Sequence, residues 1–362
     1  MKLSRVLSLV SLGASVVSAA QVFTGSNLYY AAGLNAAQRK TLLSGLQSAG
    51  MKVLRVWLDG QSTATTKGTT ITSYPSLEPN AIGSYDDTVL NLLDDFMIDA
   101  HSYGIKLMIS MHSFNALEGN DVYGKWYGTG YFYEQADAIN AFDRRLRYIL
   151  NHKHKTLGTP WKSLKQYIFA FEAQNEAMIG KGQDYIVAHQ SWQCDRANTI
   201  KSELGNNSGI LITTGGESWM DESVKDGWLK CAALDVIAIH AYGVGDFSTN
   251  AIKPYVQRAL NAGKKLIFQE WGACYYNTEN NNCPVGGVLN TNTRNQNIQN
   301  WANGIAAAGV PWMYWQVLPN ADPHYSYDFE IGIGDASWGT LQSVSKGASS
   351  YTSAFDFSAY LL

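Results

Sequence analysis

The feature that most constrains the fold is a repeated pair of elements, in which a short apolar run is followed by a helical stretch. Eight apolar runs recur along the chain, at 22–28, 52–58, 105–111, 167–173, 209–214, 234–239, 265–269 and 310–316. Helical patterns lie between them at 36–49, 86–103, 137–154, 184–204, 252–262 and 291–308. The runs are mostly apolar rather than cleanly alternating, which is typical of parallel strands buried on both faces.

Glycine marks the joints between these elements. A glycine follows a helical pattern and precedes the next strand region at five places, namely Gly50, Gly104, Gly205, Gly263 and Gly309. Eight strands alternating with helices favour a closed barrel over an open doubly wound sheet, which would need a glycine-rich loop after its first strand to bind nucleotide. We predict an α/β protein, a single-domain (β/α)8 TIM barrel with long βα loops after strands two, three and seven.

The first twenty residues have the pattern of a signal peptide. Lys2 and Arg5 precede an apolar stretch at 6–17, and small residues at 18–20 provide a cleavage site. We therefore predict a signal peptide at 1–20, one domain at 21–362 and a secreted, monomeric protein. No later apolar run is long enough to cross a membrane. Losing two cations takes the formal net charge from −3 to −5, which argues against a nucleic-acid partner.

Four cysteines suit an oxidising compartment and allow three pairings. We favour Cys274–Cys283, which closes a short loop, together with Cys194–Cys231, which ties neighbouring units. Their spacing does not resemble that of a zinc site, and no His-x-His or Glu/His cluster with ligand spacing appears. The sequence thus predicts neither a metal nor a cofactor.

Polar and aromatic residues collect where the predicted strands end. They are Arg55, Trp57, His112, Asn175, Glu176, His240, Tyr242, Glu270, Trp271 and Trp315. A barrel brings these strand ends to one face, so we expect a single cavity. Two carboxylates, Glu176 and Glu270, suggest hydrolysis of a glycosidic bond, in which one acid protonates the leaving oxygen and the other attacks or assists at the anomeric carbon. Their strands predict a separation of ~5 Å, the spacing of retaining enzymes.

The ordered set from Arg55 to Trp315 resembles glycoside hydrolase family 5, in the clan of retaining β-glycanases. The resemblance implies that Glu270 is the nucleophile, with its pKa kept low by Arg55, and that Glu176 is the acid/base. It also implies that Asn175 bonds the sugar 2-hydroxyl and that Trp315 stacks on the sugar. His112 and His240 would bond substrate hydroxyls or hold their neighbours, and Tyr242 would bond Glu270.

Two details of strand four depart from that family or extend it. Ala177 follows the Asn-Glu pair where the family usually has proline, which leaves the subfamily open. Glu172 is an additional acid upstream of the pair, and we interpret it as a structural residue within the barrel.

The aromatic segment at 123–133 is similar to fungal endo-β-1,4-mannanases of the same family. Aromatic faces stack on pyranose rings, and we take Trp126, Trp219, Trp271 and Tyr325 as candidates for outer subsites. The resemblance implies a polysaccharide substrate, with β-1,4-mannan as the first choice. The alternatives are another β-glycanase of the family, such as an endoglucanase or a β-1,6-galactanase or glucanase, and a carbohydrate-binding barrel without catalysis.

Overall fold

A computed structural model describes residues 20–362, so nearly all of the predicted signal peptide lies outside the described residues. Eight parallel strands close into a barrel, each paired with its neighbours in chain order. They are β1 (Thr24–Asn27), β2 (Val53–Trp57), β3 (Lys106–Ser110), β4 (Ile168–Glu172), β5 (Leu211–Thr213), β6 (Val236–His240), β7 (Lys265–Trp271) and β8 (Trp312–Tyr314). Each lies within or overlaps a predicted strand. The barrel closes where Thr24 pairs with Trp312 and Gly25 pairs with Val53.

Helices surround the barrel and connect its strands. They are α1 (Ala36–Ser48), α2 (Thr88–Ser102), α3 (Phe114–Glu118), α4 (Val122–Glu134), α5 (Ala136–Asn151), α6 (Gln183–His189), α7 (Ser191–Leu204), α8 (Met220–Ser223), α9 (Asp226–Leu229), α10 (Thr249–Asn261), α11 (Thr291–Ala307) and α12 (Trp338–Ala348). The predicted (β/α)8 fold is confirmed. The five joint glycines all have φ between +67° and +81°, a left-handed backbone that glycine adopts without steric cost.

The predicted helices are correct except at two points. The single helix expected at 184–204 is divided into α6 and α7, and the segment at 123–133, treated as a loop, forms most of α4. The side chain of Asp121 caps α4 by accepting from the Gly124 amide. Tyr123, Phe132 and Tyr133 of α4 are buried. Tertiary packing and this cap therefore stabilise two short helical stretches, which meet at a kink where Gly128 has a φ of +60° and a ψ of −172°.

Long βα connections follow β2, β3 and β7 as predicted, and a further one, at 315–337 after β8, was not predicted. The first contains a two-stranded hairpin, Thr65–Thr66 with Thr69–Thr70, and the second contains α3 and α4. The third is closed by the Cys274–Cys283 disulfide, while Cys194–Cys231 joins α7 to the segment after α9. Both predicted pairings are confirmed. Among the described residues, no helix combines the length and apolar character needed to cross a bilayer.

Both ends of the described chain lie at the N-terminal face of the barrel. Gln21 forms an antiparallel bridge with Thr352, and the Ser353 amide donates to the Ala20 carbonyl. At the C-terminal end of the chain, the carbonyl oxygen of Leu362 lies 3.5 Å from Lys52 Nζ. Lys52 directly precedes β2, so this face is opposite the strand ends that carry the candidate site.

Candidate active site

Glu176 and Glu270 face one another at the C-terminal ends of β4 and β7. One carboxylate oxygen of each, together with a ring nitrogen of His240, forms a group in which all atoms lie within 4.8 Å of one another. This distance agrees with the predicted separation of ~5 Å. His240 lies between the two acids, with Nδ1 3.0 Å from Glu176 Oε1 and Nε2 3.6 Å from Glu270 Oε1.

The backbone after β4 is turned sharply to present Glu176. Its φ is +48°, a left-handed conformation that costs a non-glycine residue free energy. Two backbone hydrogen bonds hold the turn: the Glu176 amide donates to the Gly215 carbonyl at 3.1 Å, and its own carbonyl accepts from the Ile179 amide at 3.1 Å. The acid is therefore held by the segment after β5 as well as by its own strand.

Arg55 lies beneath the carboxylates and is fully buried. Its Nη1 donates to Glu270 Oε1 at 2.5 Å, and its Nη2 donates to Asn175 Oδ1 at 2.6 Å. Nε and Nη2 also bond Glu172, including a 2.5 Å contact from Nη2, and Nη1 donates in addition to Asn27 Oδ1 at 3.3 Å. Arg55 was predicted among the substrate-binding residues, and this is wrong, because its donors are used by protein groups. The interpretation of Glu172 as structural fits these contacts.

At Glu270 and at His240, burial and the neighbouring charged groups shift the pKa in opposite directions. Burial raises the pKa of Glu270 above its usual range, although His240 and Arg55 act to lower it. The expectation that Arg55 keeps this pKa low is therefore wrong, because lost hydration outweighs the neighbouring cations. Burial lowers the pKa of His240, but the carboxylates of Glu270 and Glu176 outweigh it and raise that pKa overall.

Tyr242 is the second direct partner of Glu270. Burial, followed by the charge of Glu270, raises the pKa of Tyr242 well above its usual range. The phenol therefore stays protonated and donates a hydrogen bond to Glu270 Oε2 at 2.9 Å, as the resemblance implied. This leaves Glu270 with one oxygen bonded to Arg55 and the other to Tyr242.

Neither predicted histidine is free to bond a sugar. His112 is buried, with Nε2 2.8 Å from Asp121 Oδ2 and Nδ1 2.9 Å from Gln174 Nε2. His240 is fully buried, and its Nε2 also lies 2.7 Å from Gln269 Oε1. A direct substrate contact by either residue is therefore wrong, while the alternative role of holding neighbours fits the geometry.

The open part of the site is an aromatic cavity of about 540 Å³ beside the carboxylates. Trp57, Trp315 and Asn175 line it, together with Tyr29. The rings of Tyr29 and Trp315 are nearly parallel, with centroids 6.2 Å apart, and Trp57 meets Trp315 edge-on at 5.6 Å. Asn175 Oδ1 accepts from Arg55, while its Nδ2 makes only long contacts, of 3.5 Å to Asn115 Oδ1 and 3.4 Å to Glu176 Oε2.

The three outer-subsite tryptophans lie in different environments. Trp126 on α4 is 73% exposed and Trp219 before α8 is 57% exposed, so both remain candidates. Trp271 is fully buried, and its ring packs edge-on against Trp312 and Tyr314. The prediction of a substrate contact for Trp271 is wrong, because its fully buried side chain packs in the core against two aromatic residues of β8.

Glu217 is a titratable residue near the site that the sequence reasoning missed. It is fully buried, neither of its carboxyl oxygens has a hydrogen-bond partner, and its amide donates to Ser223 Oγ. Burial, and then the charge of Glu176, raise its pKa well above the usual range. Its position shortly after β5 corresponds to that of Glu176 after β4, and this signal could have identified it.

Two groups of side chains in the described part of the chain have the spacing to hold a metal ion. One is Glu176, His240 and Glu270; the other is Asp322, His324 and Asp328. In the first group Arg55 already supplies a positive charge to Glu270 at 2.5 Å. The second lies in the loop that follows β8.

Comparison with known proteins agrees with this fold. The chain is 25% identical over 361 residues to mannan endo-1,4-beta-mannosidase A from Aspergillus aculeatus, covering 92% of this chain and 83% of that protein. It is 26% identical over 276 residues to a probable mannan endo-1,4-beta-mannosidase A-2 from Aspergillus terreus, covering 69% of this chain and 66% of that protein. The chain thus spans just under two thirds of the length of the latter relative.

Solved structures show the same architecture at low identity. The endo-beta-1,4-mannanase from Thermotoga petrophila superposes with a TM-score of 0.67 at 20% identity, covering 91% of this chain and 77% of that chain. The endo-1,4-beta-mannanase from Rhizomucor miehei gives 0.66 at 19% identity, covering 92% and 99%. At this low identity, the two structural similarities show the fold alone. The family model described as cellulase (glycosyl hydrolase family 5) matches residues 16–321. The chain therefore belongs to glycosyl hydrolase family 5 and is a glycoside hydrolase.

Proposed function

We propose that this protein is a secreted, retaining endo-β-1,4-mannanase. The observation that carries the retaining mechanism is the approach of Glu176 and Glu270 to within 4.8 Å. Retaining enzymes place their carboxyl groups about 5 Å apart, whereas inverting enzymes leave room for a water between them. No metal or cofactor is needed for this chemistry.

In the proposed reaction Glu270 attacks the anomeric carbon while Glu176 donates a proton to the departing glycosidic oxygen. This yields a glycosyl ester of Glu270 and releases the leaving part of the chain. Water then attacks the same carbon, gives its proton to Glu176 and frees the Glu270 carboxylate. Arg55 and Tyr242 orient the nucleophile, and His240 contacts both acids through its ring nitrogens.

Mannan is the proposed substrate because the similar proteins from two Aspergillus species are named as mannan endo-1,4-beta-mannosidases. The aromatic cavity formed by Tyr29, Trp57 and Trp315 supports a pyranose ligand, since such rings stack on sugar C–H faces. The exposed Trp126 and Trp219 are proposed as outer subsites of a long cleft. A cellulose or galactan substrate would use the same catalytic pair.

A substrate panel tests the specificity. Reducing-sugar release should be greatest with mannan and glucomannan and small with carboxymethylcellulose and β-1,6-galactan. Early products should retain the β-configuration by proton NMR. No release from mannan would reject the mannanase proposal, and release of α-products would reject the retaining mechanism.

Variants of the two acids test their roles. Glu270→Ala and Glu176→Ala should each lower turnover by several powers of ten while binding of mannooligosaccharides is largely kept. Glu203→Ala, which removes a carboxylate far from the cavity on α7, is the matched control and should retain activity. Near-normal activity of Glu270→Ala would exclude it as the nucleophile.

Secretion is supported by the signal-like leader at 1–20 and by two disulfides, which form in oxidising compartments. Expression of the full chain in a secreting host tests it directly. We expect active protein in the medium whose N-terminal residue is Gln21. Retention of the whole product inside the cell, with residues 1–20 attached, would contradict this part of the proposal.

A further inference from the structure

A second cluster of ligating side chains lies in the loop between β8 and α12, apart from the cavity described above. Asp322, His324 and Asp328 each offer one ligand atom, and these three atoms lie within 4.8 Å of one another. His324 Nδ1 is 2.9 Å from Asp328 Oδ2 and 3.4 Å from Asp322 Oδ2. Ligand atoms around a tetrahedral Zn²⁺, each about 2.0–2.1 Å from the ion, are about 3.3 Å apart. The two distances from His324 Nδ1 to the carboxylate oxygens are close to this spacing.

Two buried oxygens of the cluster have no hydrogen-bond partner. They are Asp322 Oδ2 and Asp328 Oδ1, on side chains that are fully buried. A buried carboxylate oxygen without a partner carries a large desolvation cost, so native proteins normally satisfy it with a donor or a cation. Asp322 Oδ2 is also the oxygen that faces the His324 ring, so the unsatisfied atom points into the cluster.

The surrounding contacts hold the ligands in place. The His324 ring stacks on Tyr275 with centroids 3.5 Å apart and an angle of 3° between the planes. Asp322 Oδ1 accepts from the His324 amide at 3.1 Å. The Asp328 carbonyl accepts from the Tyr275 amide at 2.8 Å, which anchors the third ligand to the loop after β7.

The local charges leave this cluster negative. Two carboxylates face a single imidazole, and Lys67, which reaches the same loop, is paired with Glu330 at 3.3 Å. Lys67 Nζ also donates to the carbonyls of Tyr325 and Tyr327 at 3.1 Å. A divalent cation would balance the two carboxylates and give Asp322 Oδ2 the partner that it lacks.

We propose that Asp322, His324 and Asp328 form a structural site for a first-row divalent metal ion, with Zn²⁺ as the best fit. One imidazole nitrogen and two carboxylate oxygens suit Zn²⁺ better than Ca²⁺, which prefers oxygen ligands alone. The ion would cross-link the loop that carries Tyr325 and Tyr327 within itself, at the point where His324 stacks on Tyr275 of the neighbouring loop. This site is separate from catalysis and does not depend on the substrate proposed above.

Isothermal titration of the chelator-treated full chain with ZnCl₂ tests the site. We expect one ion per chain in the wild type and at least a tenfold weaker affinity in His324→Gln. The double variant Asp322→Asn with Asp328→Asn should lose binding altogether. Wild-type protein should also show a higher Tm with Zn²⁺ than with a chelator, and the double variant should not.

Two matched variants locate the ion. Glu176→Gln disrupts the other cluster with suitable spacing, and His189→Gln removes the histidine of an exposed pair with Glu134. Both should bind Zn²⁺ like the wild type. Loss of binding in either one, or unchanged binding in His324→Gln, would overturn the proposal. If the double variant does not fold, the single His324→Gln change still decides, because that side chain is partly exposed.

Discussion

Arg55 and Glu172 form a fully buried ion pair inside the barrel, with three hydrogen-bond contacts of 2.5 to 3.1 Å. The pair joins β2 to β4 from within and leaves Nη1 of Arg55 to hold Glu270. The position of the proposed nucleophile therefore depends on a carboxylate that does not line the cavity. Removing that carboxylate would leave a buried guanidinium with too few acceptors.

We expect Glu172→Ala to lower the free energy of unfolding by about 3–5 kcal/mol, because it leaves the charge of Arg55 partly uncompensated. Urea denaturation measures this change. Asp99→Ala, which breaks the exposed pair with Arg39, is the control and should cost no more than about 1 kcal/mol. Equal effects from the two substitutions would show that the buried pair has no special importance for stability.

Tyr242→Phe should shift the acidic limb of the activity profile to higher pH. The phenol bond lowers the pKa of Glu270 against the larger effect of burial, which raises it, so removing the bond raises that pKa further. More Glu270 is then protonated at a given acidic pH. We also expect kcat/KM at the optimum to fall about 10- to 100-fold, the value of a hydrogen bond to a charged group.

The profile of kcat/KM against pH measures both effects of Tyr242→Phe. Tyr148→Phe removes a similar phenol bond, to Asp87, on the outside of the barrel and serves as the control. A lower rate without movement of the acidic limb would mean that Tyr242 does not control the ionisation of Glu270.

Asp94 and Asp95, which are adjacent on α2, allow the stability contributions of a buried and an exposed carboxylate to be compared. Asp94 is buried and accepts from Trp161 Nε1 at 2.7 Å, from the Lys155 amide at 2.8 Å and from His152 at 3.0 Å. Asp94→Ala should cost about 3 kcal/mol, because these donors lose their partner. Asp95→Ala, which removes an exposed contact with Lys155, should cost under about 1 kcal/mol.

The effect of Asp94→Ala should also depend on pH. Burial alone would raise the pKa of Asp94, but the bonds from His152, Lys155 and Trp161 outweigh it and lower that pKa. A lowered carboxyl pKa contributes stability above its unfolded value and loses it as the pH falls through the folded value. Urea midpoints for wild type and variant should converge below about pH 4. A constant difference down to pH 2 would contradict this assignment.

Truncation should destabilise the protein strongly at Trp271 and leave its stability nearly unchanged at Trp126. Trp271→Ala should lower the free energy of unfolding by about 3–5 kcal/mol, because it empties a packed region beside Trp312 and Tyr314. Trp126→Ala should change it by less than about 0.5 kcal/mol, since the ring is exposed. Chemical denaturation of both variants distinguishes the core residue from the surface one.

The error at Trp271 has a physical cause that a sequence pattern does not carry. Between β6 and β7 the register shifts, so that Ile239 pairs with Phe268 but His240 pairs with Glu270. The shift lets consecutive side chains, Gln269 and Glu270, both contact the interior, and Trp271 then faces outward. Bulges of this kind are set by tertiary packing and are common beside active sites.

The strands and the positions of the two proposed catalytic acids were predictable because they depend on local signals. Apolar runs ending in polar residues placed Glu176 and Glu270 at one face, and glycines such as Gly104 marked the joints. The roles of His112 and Arg55 were less predictable, because they depend on which distant groups occupy their hydrogen bonds. Asp121 and Gln174, the partners of His112, lie on different elements, and no periodicity relates them.

The bridge between Gln21 and Thr352 has a practical consequence for handling the enzyme. Because the described ends of the chain meet at the face opposite the cavity, an affinity tag, a second module or a solid support attached there would point away from the cleft. Immobilised protein should then keep its access to long, insoluble chains. Joining residue 21 to residue 362 by a linker would likewise permit circular permutation at this face, with the buried Phe355 and Phe357 kept in the core.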